Sequence, residues 1–247
     1  MYYRLIDMKI TLLKTIILAV SVFGIASSPA ATILFTDTLP TSDVIRSNTV
    51  TTPTGNIQLR NYGSTPTSNN RWVGFGFSTT SAVSLDKITL FIYSDQVTAT
   101  ALGANMTISI VSLASLTASP SSPFSPLYSE SAVVPITYGN ENYMTFNLEN
   151  SYSLAAGGNY GIILSFDSNA TNRAINFTQA TSGTGGQSGI GDTFYTADQG
   201  ATYTNNTSTL NFVAQSVPEP STTALLALVG GAAIAGIYRS RRRSAAV

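Results

Sequence analysis

The sequence has no histidine, no cysteine and one tryptophan, and only 10% of its 247 residues are charged. These absences exclude Ser-His triads, cysteine nucleophiles, zinc clusters, c-type haem attachment and disulfides. Stability has to come from a packed core, which a chain of this size can build. Basic residues are also scarce: residues 32–216 hold five Lys and Arg against ten Asp and Glu. That balance excludes a nucleic-acid partner, because neutralising phosphates needs a basic face. Neither of the two apolar runs reaches the roughly 20 residues of an ordinary membrane span.

What charge remains is concentrated at the two ends. Arg4, Lys9 and Lys14 precede an apolar run over 16–25, which passes into the small-residue stretch Ala26-Ser27-Ser28-Pro29-Ala30-Ala31. This three-part order predicts a secretory signal peptide at 1–30, cleaved after Ala30 or Ala31 and handled by the Sec translocon and signal peptidase. The pair Met8-Lys9 offers a second start site.

The other end runs Val217-Pro218-Glu219-Pro220-Ser221, then an apolar segment over 223–238, then Arg239, Arg241, Arg242 and Arg243. As a helix that segment covers about 24 Å, against a hydrocarbon core of about 30 Å. Snorkelling arginines and local thinning allow it to span. Gly230, Gly231 and Gly236 make it a thin transmembrane helix that another membrane protein can grip closely. The arginines predict a cytoplasmic terminus, with Pro218-Glu219-Pro220 just outside the membrane.

Together these residues resemble the PEP-CTERM sorting signal of Gram-negative bacteria. The resemblance covers 217–247. It implies recognition by an exosortase, a membrane protease-transpeptidase, with cleavage near Pro218-Glu219-Pro220. A transient hold in the inner membrane would then give way to a place at the cell surface or in an extracellular matrix, often one rich in extracellular polysaccharide. The competing reading is a plain single-span anchor with a Pro-containing stalk.

Between the ends, residues 32–216 contain 54 Ser and Thr among 185, with Gly, Asn and Pro at short intervals. That composition predicts an exported all-β domain with many turns. Apolar residues alternate in Met106-Thr107-Ile108-Ser109-Ile110 and in Met144-Thr145-Phe146-Asn147-Leu148, which puts one face on a core and the other in water. Further strands are expected at 33–36, 57–62, 72–78, 88–93, 160–166, 174–178, 193–196 and 210–213. About ten short strands without an internal repeat fit a β-sandwich of the jelly-roll or immunoglobulin-like kind.

Three segments resemble the exported choice-of-anchor domains, most nearly the R type: Trp72-Val73-Gly74-Phe75-Gly76-Phe77, Val83-Ser84-Leu85-Asp86-Lys87-Ile88, and Leu154-Ala155-Ala156-Gly157-Gly158-Asn159-Tyr160-Gly161-Ile162-Ile163-Leu164. The resemblance implies a β-sandwich and carries no activity. In the last segment Gly157 and Gly158 make a turn, and Tyr160, Ile162 and Leu164 point inward.

Candidate chemistry is sparse. Thr196-Ala197-Asp198-Gln199-Gly200-Ala201-Thr202-Tyr203 fits the Asp-box pattern Ser/Thr-x-Asp-x-Gly-x-Thr-aromatic. In it Asp198 accepts turn amides, Gly200 takes a φ that other residues avoid, and Tyr203 packs beneath, which is a structural role. Asp95, Asp167, Asp192 and Asp198 lie near strand ends, where Asp caps turns. A glycan-active enzyme would need two such carboxylates across a cleft. No calcium loop is present, so no metal or cofactor is expected. Tyr62, Trp72, Tyr128, Tyr138 and Tyr143 would form a sugar platform only if several shared a face; otherwise they are core or cross-strand packing. Asn105, Asn169, Asn176, Asn205 and Asn206 begin chance sequons in a Ser/Thr-rich chain. The run Ser119-Pro120-Ser121-Ser122-Pro123-Phe124-Ser125-Pro126 reads as an exposed loop. The expected role is therefore structural or adhesive and not enzymatic, with a lectin-like module or a carboxylate-paired glycan enzyme as alternatives.

Overall fold

The computed structural model describes residues 30–50, 53–62, 70–167, 172–181 and 188–217. Residues 1–29, all but the last of the signal peptide expected at 1–30, and everything from Pro218 onward, including the apolar segment over 223–238, lie outside the described residues. No helix among the described residues is long and apolar enough to cross a membrane.

Among the described residues, fourteen strands make two sheets, with one turn of 3-10 helix (Ala99–Ala101) between the fifth and sixth strands. One sheet has eight strands: β1 (Thr32–Thr36), β2 (Val44–Asn48), β3 (Gly55–Asn61), β5 (Val83–Val97), β8 (Tyr143–Leu154), β10 (Arg173–Thr181), β13 (Ser208–Leu210) and β14 (Phe212–Ser216). The other has six, in the order β12 (Thr204–Asn206), β11 (Ile190–Thr196), β4 (Trp72–Ser78), β9 (Asn159–Phe166), β6 (Asn105–Ser112) and β7 (Tyr128–Val133). All paired strands are antiparallel. The chain changes sheet at most of its connections, so each inner face is assembled from distant segments. The architecture is a β-sandwich, as the sequence predicts.

Alternation explains which residues meet inside. Met106, Ile108 and Ile110 of β6 and Met144 and Phe146 of β8 are fully buried between the sheets. Phe75 and Phe77 of β4 reach across to Phe212 of β14, with ring centroids 4.2 and 6.1 Å apart. Tyr160, Ile162 and Leu164 face the same core, and Gly157 takes the positive φ (71°) of the preceding turn. The Tyr160 hydroxyl accepts the Ala155 amide at 2.8 Å, closing that turn from inside.

A smaller apolar cluster covers the other face of the six-stranded sheet. There Val111, Leu113, Ile163 and Phe194 are buried, with Trp72, Phe124 and Tyr203 packed against them. The loop from 113 to 127 is drawn over this face. A Cβ on Gly74 would come within 2.2 Å of the Phe194 ring and 2.6 Å of the Ile162 carbonyl, so only glycine leaves room for that ring against β4.

The structure departs from the expected strands in three ways. β2, β7 and β12 are additional: their sequences (VIRSN, YSESAV and TNN) are too polar to show an apolar period, and hydrogen bonding to β14, β6 and β11 makes them strands. The strand expected at 88–93 is the middle of the fifteen-residue β5, which pairs first with β8 and β14 and then with β10 at Ile92 and Val97, on either side of Ser94 at φ 46°. The strand expected at 210–213 is split at Asn211, whose amide bonds to the Thr178 carbonyl.

Candidate functional site

The turn at Asp198 joins β11 to β12. Thr196, the last residue of β11, is buried, and its hydroxyl donates to Asp198 Oδ1 while accepting the amides of Asp198 (3.2 Å) and Gly200 (3.1 Å). Asp198 also accepts the Thr202 amide (2.9 Å) and the Thr202 hydroxyl (2.5 Å). Gln199 and Gly200 both take positive φ, 59° and 92°. Gly200 lies under Trp72: an added Cβ would sit 2.8 Å from the indole and 3.3 Å from Phe124. Tyr203 packs against Phe194 and Phe124, with centroids 5.9 and 6.4 Å away. The pattern read from the sequence thus folds as a turn clasped by its own Asp and backed by aromatics.

These bonds decide the electrostatics. Donation from the Thr196 and Thr202 hydroxyls holds the Asp198 carboxyl down at about 2. Burial, reinforced by the nearby Asp198 charge, pushes the Tyr203 phenol well above its ordinary range. Its hydroxyl is buried without a partner among the described residues. Among the described residues, every hydrogen bond to the Asp198 carboxylate comes from within the turn, which gives it a structural use there.

Replacing Asp198 by Ala is expected to lower stability by about 1–2 kcal/mol, measured by urea unfolding near neutral pH. Because the carboxyl ionises more readily folded than unfolded, its contribution is full above the unfolded value of about 4. It fades as pH falls through about 2. The gap between wild type and variant should therefore close on acidification; a gap independent of pH would show that the charge is irrelevant to the turn.

The other acidic candidates are dispersed. Asp167 pairs with Arg173 at 2.6 Å, and its carbonyl accepts the Asn61 side chain. Burial raises the pKa of Asp192, which stands in β11. Asp95 lies in β5, and its side chain is outside the described residues. No group of three or more acidic residues that could hold a metal occurs among the described residues. The five aromatic candidates each have a different partner: Arg60 lies over Tyr62, Trp72 packs on Phe124, Tyr128 on Tyr152, Tyr138 on Phe35 and Tyr143 on Phe91. That is the packing alternative. The loop over 119–126 is exposed at Ser121, Ser122 and Pro123 yet tied down. Ser119 donates to Asn205 Oδ1 at 2.6 Å and Ser122 to the Ala201 carbonyl at 2.8 Å. Of the sequon residues, Asn176 is buried in β10 and Asn205 donates to the Thr117 carbonyl.

The second candidate begins where the sandwich ends. β14 lies between β2 and β5, so the last strand is held on both sides. Its exit is held too: the Ser216 amide donates to the Asp43 carbonyl (2.8 Å) and the Val217 amide to the Ser84 carbonyl (3.2 Å). Val217 is exposed, and Pro218, Glu219, Pro220, Arg239, Arg241, Arg242 and Arg243 lie outside the described residues. Residues 216–243 match the family described as the PEP-CTERM protein-sorting motif. The chain carries a PEP-CTERM sorting motif. The motif implies an exosortase as processing partner and export to the cell envelope or surface. No curated protein matches the chain. Among solved structures, the cysteine protease and lectin-like domains of Cwp84, a surface-layer-associated protein of Clostridium difficile, align at 15% identity and a TM-score of 0.39. That alignment covers 60% of this chain and 33% of the other.

Proposed function

We propose that this chain is made with a signal peptide at 1–30 and passed through the inner membrane of a Gram-negative bacterium. The apolar segment over 223–238 and its arginines hold it there briefly, until an exosortase cuts it near Pro218-Glu219-Pro220. The freed domain then serves a structural or adhesive role at the cell surface or in the polysaccharide matrix. The observation that carries this reading is the junction at Val217. The sorting motif begins where the last strand leaves the sheet, so a cut after Val217 removes no residue of β14. Proline at 218 and 220 disfavours a helix over the motif, which suits a stretch that a protease must reach. A non-enzymatic role is supported by how the candidate carboxylates are used, Asp198 in its turn and Asp167 in an ion pair.

Mass spectrometry of the extracellular form is the test. It is expected to find a C-terminus between residues 217 and 221 and no peptide from Leu225 onward. Recovery of the intact tail from mature surface protein in an exosortase-positive host would restore the plain-anchor reading.

A further inference from the structure

Residues 32–216 contain only five cationic side chains. Lys87 pairs with Asp86, Arg173 pairs with Asp167, and Arg46 donates to the Ser78 carbonyl. The remaining two, Arg60 and Arg71, face each other. The end of β3 and the residue before β4 form an antiparallel bridge there, with the Arg60 amide donating to the Arg71 carbonyl (3.1 Å) and the Arg71 amide to the Arg60 carbonyl (2.8 Å). Directly opposed residues on such a bridge put their side chains on the same face. Two like charges are thereby set side by side where the chain passes from one sheet to the other.

Opposed like charges destabilise a sheet pair, and ordinary surface design would place a carboxylate nearby. The region has ten to draw on, yet neither guanidinium forms an ion pair among the described residues. Residues 63–69, which join the two arms, contain no acidic residue. Tyrosine faces hold the pair instead: Arg60 lies 5.3 Å from the Tyr62 ring centroid and Arg71 4.6 Å from that of Tyr195. Gln58 accepts from both Arg60 (3.4 Å) and the Tyr62 hydroxyl (2.9 Å). Both Arg Nε atoms are buried without a hydrogen-bond acceptor among the described residues. Burial and the charge of Arg60 together depress the Arg71 pKa. The result is two donor forks side by side, each held against a tyrosine ring.

We propose that Arg60 and Arg71 form a binding site for a carboxylate of an acidic polysaccharide. Guanidinium forks match planar carboxylates in two-point contacts, and a flanking anion would answer both charges at once. A phosphate-dense polymer fits poorly, since residues 32–216 carry ten acidic side chains against five basic ones. An extracellular chain with sparser carboxylates, such as uronic acids, touches the pair without crowding the rest. This rests on the proposed destination outside the cell and names the kind of polymer met there.

The test is calorimetric titration of the full-length protein in detergent with a hyaluronan oligosaccharide. Saturable binding is expected, with neutral dextran of equal length inert. Arg60→Gln or Arg71→Gln should each weaken binding about tenfold or more, and the double variant should abolish it. Relief of repulsion means the double variant should melt no lower than wild type. The double Lys variant keeps the charge, loses the forks and should bind at an intermediate level. Equal binding by wild type and the double Gln variant, no binding by wild type, or displacement by inorganic phosphate at matched concentration would each overturn the assignment. Because the assay needs no processing, its failure leaves the sorting reading standing, and an uncut tail leaves this site standing.

Discussion

Deleting residues 239–247 is expected to shift nearly all of the protein from the processed extracellular form to full-length chain in the inner membrane, read by immunoblot of fractions from an exosortase-positive host. In the proposed arrangement, four arginines would fix the cytoplasmic end of the segment over 223–238, which as a helix would cover about 24 Å, less than a bilayer. Their retention at the inner face would keep the motif at the outer face. Without them the short segment has no fixed depth, and Glu219 no longer meets a protease set at one height. Glu219→Ala should give the same accumulation by another route, since it removes the charge between two prolines while leaving the anchor alone. If both variants are cut and released like the wild type, the exosortase reading fails.

The second large effect is on the core. Phe212 is fully buried and packs on both Phe75 and Phe77, which come from the opposite sheet. Phe212→Ala should cost about 3–5 kcal/mol, a substantial part of the roughly 5–15 kcal/mol available to a domain. Thermal unfolding should move down by about 10 °C or more, while Phe212→Leu, which keeps most of the volume, should cost far less. In cells the Ala variant should be depleted by proteolysis, yet whatever reaches the surface should carry the same C-terminus. A shift of less than about 2 °C would mean that the sheets do not meet at this ring.

How much of this was legible depends on the range of the signal. Met106, Ile108, Ile110, Met144 and Phe146 announce buried strands because their period is local, and the sheet buries them as expected. The Asp198 turn was readable for the same reason: the partners of the Asp198 carboxylate and of the Thr196 hydroxyl all lie between 196 and 202. β7 was not, because its six residues are mostly small or polar and are strand only by pairing with β6. Trp72, Phe124 and Tyr203 come from three distant segments, so nothing local says that they form one cluster. Arg60 and Arg71 were passed over for a related reason. Each alone is an ordinary surface arginine, and their opposition depends on the register across residues 63–69.

The placement of β14 also bears on mechanics. The strand runs antiparallel to both β2 and β5, and the chain leaves from its far end at Val217. Whatever is joined to that end pulls along the strand axis, while the ladder hydrogen bonds lie across it. The load is then shared by two ladders in shear, rather than breaking one bond after another as peeling from a free end would. Resistance to such a pull is set by the rate of forced unfolding and not by equilibrium stability. A domain tethered through this strand should stay folded under drag that would strip one hung from a hairpin tip.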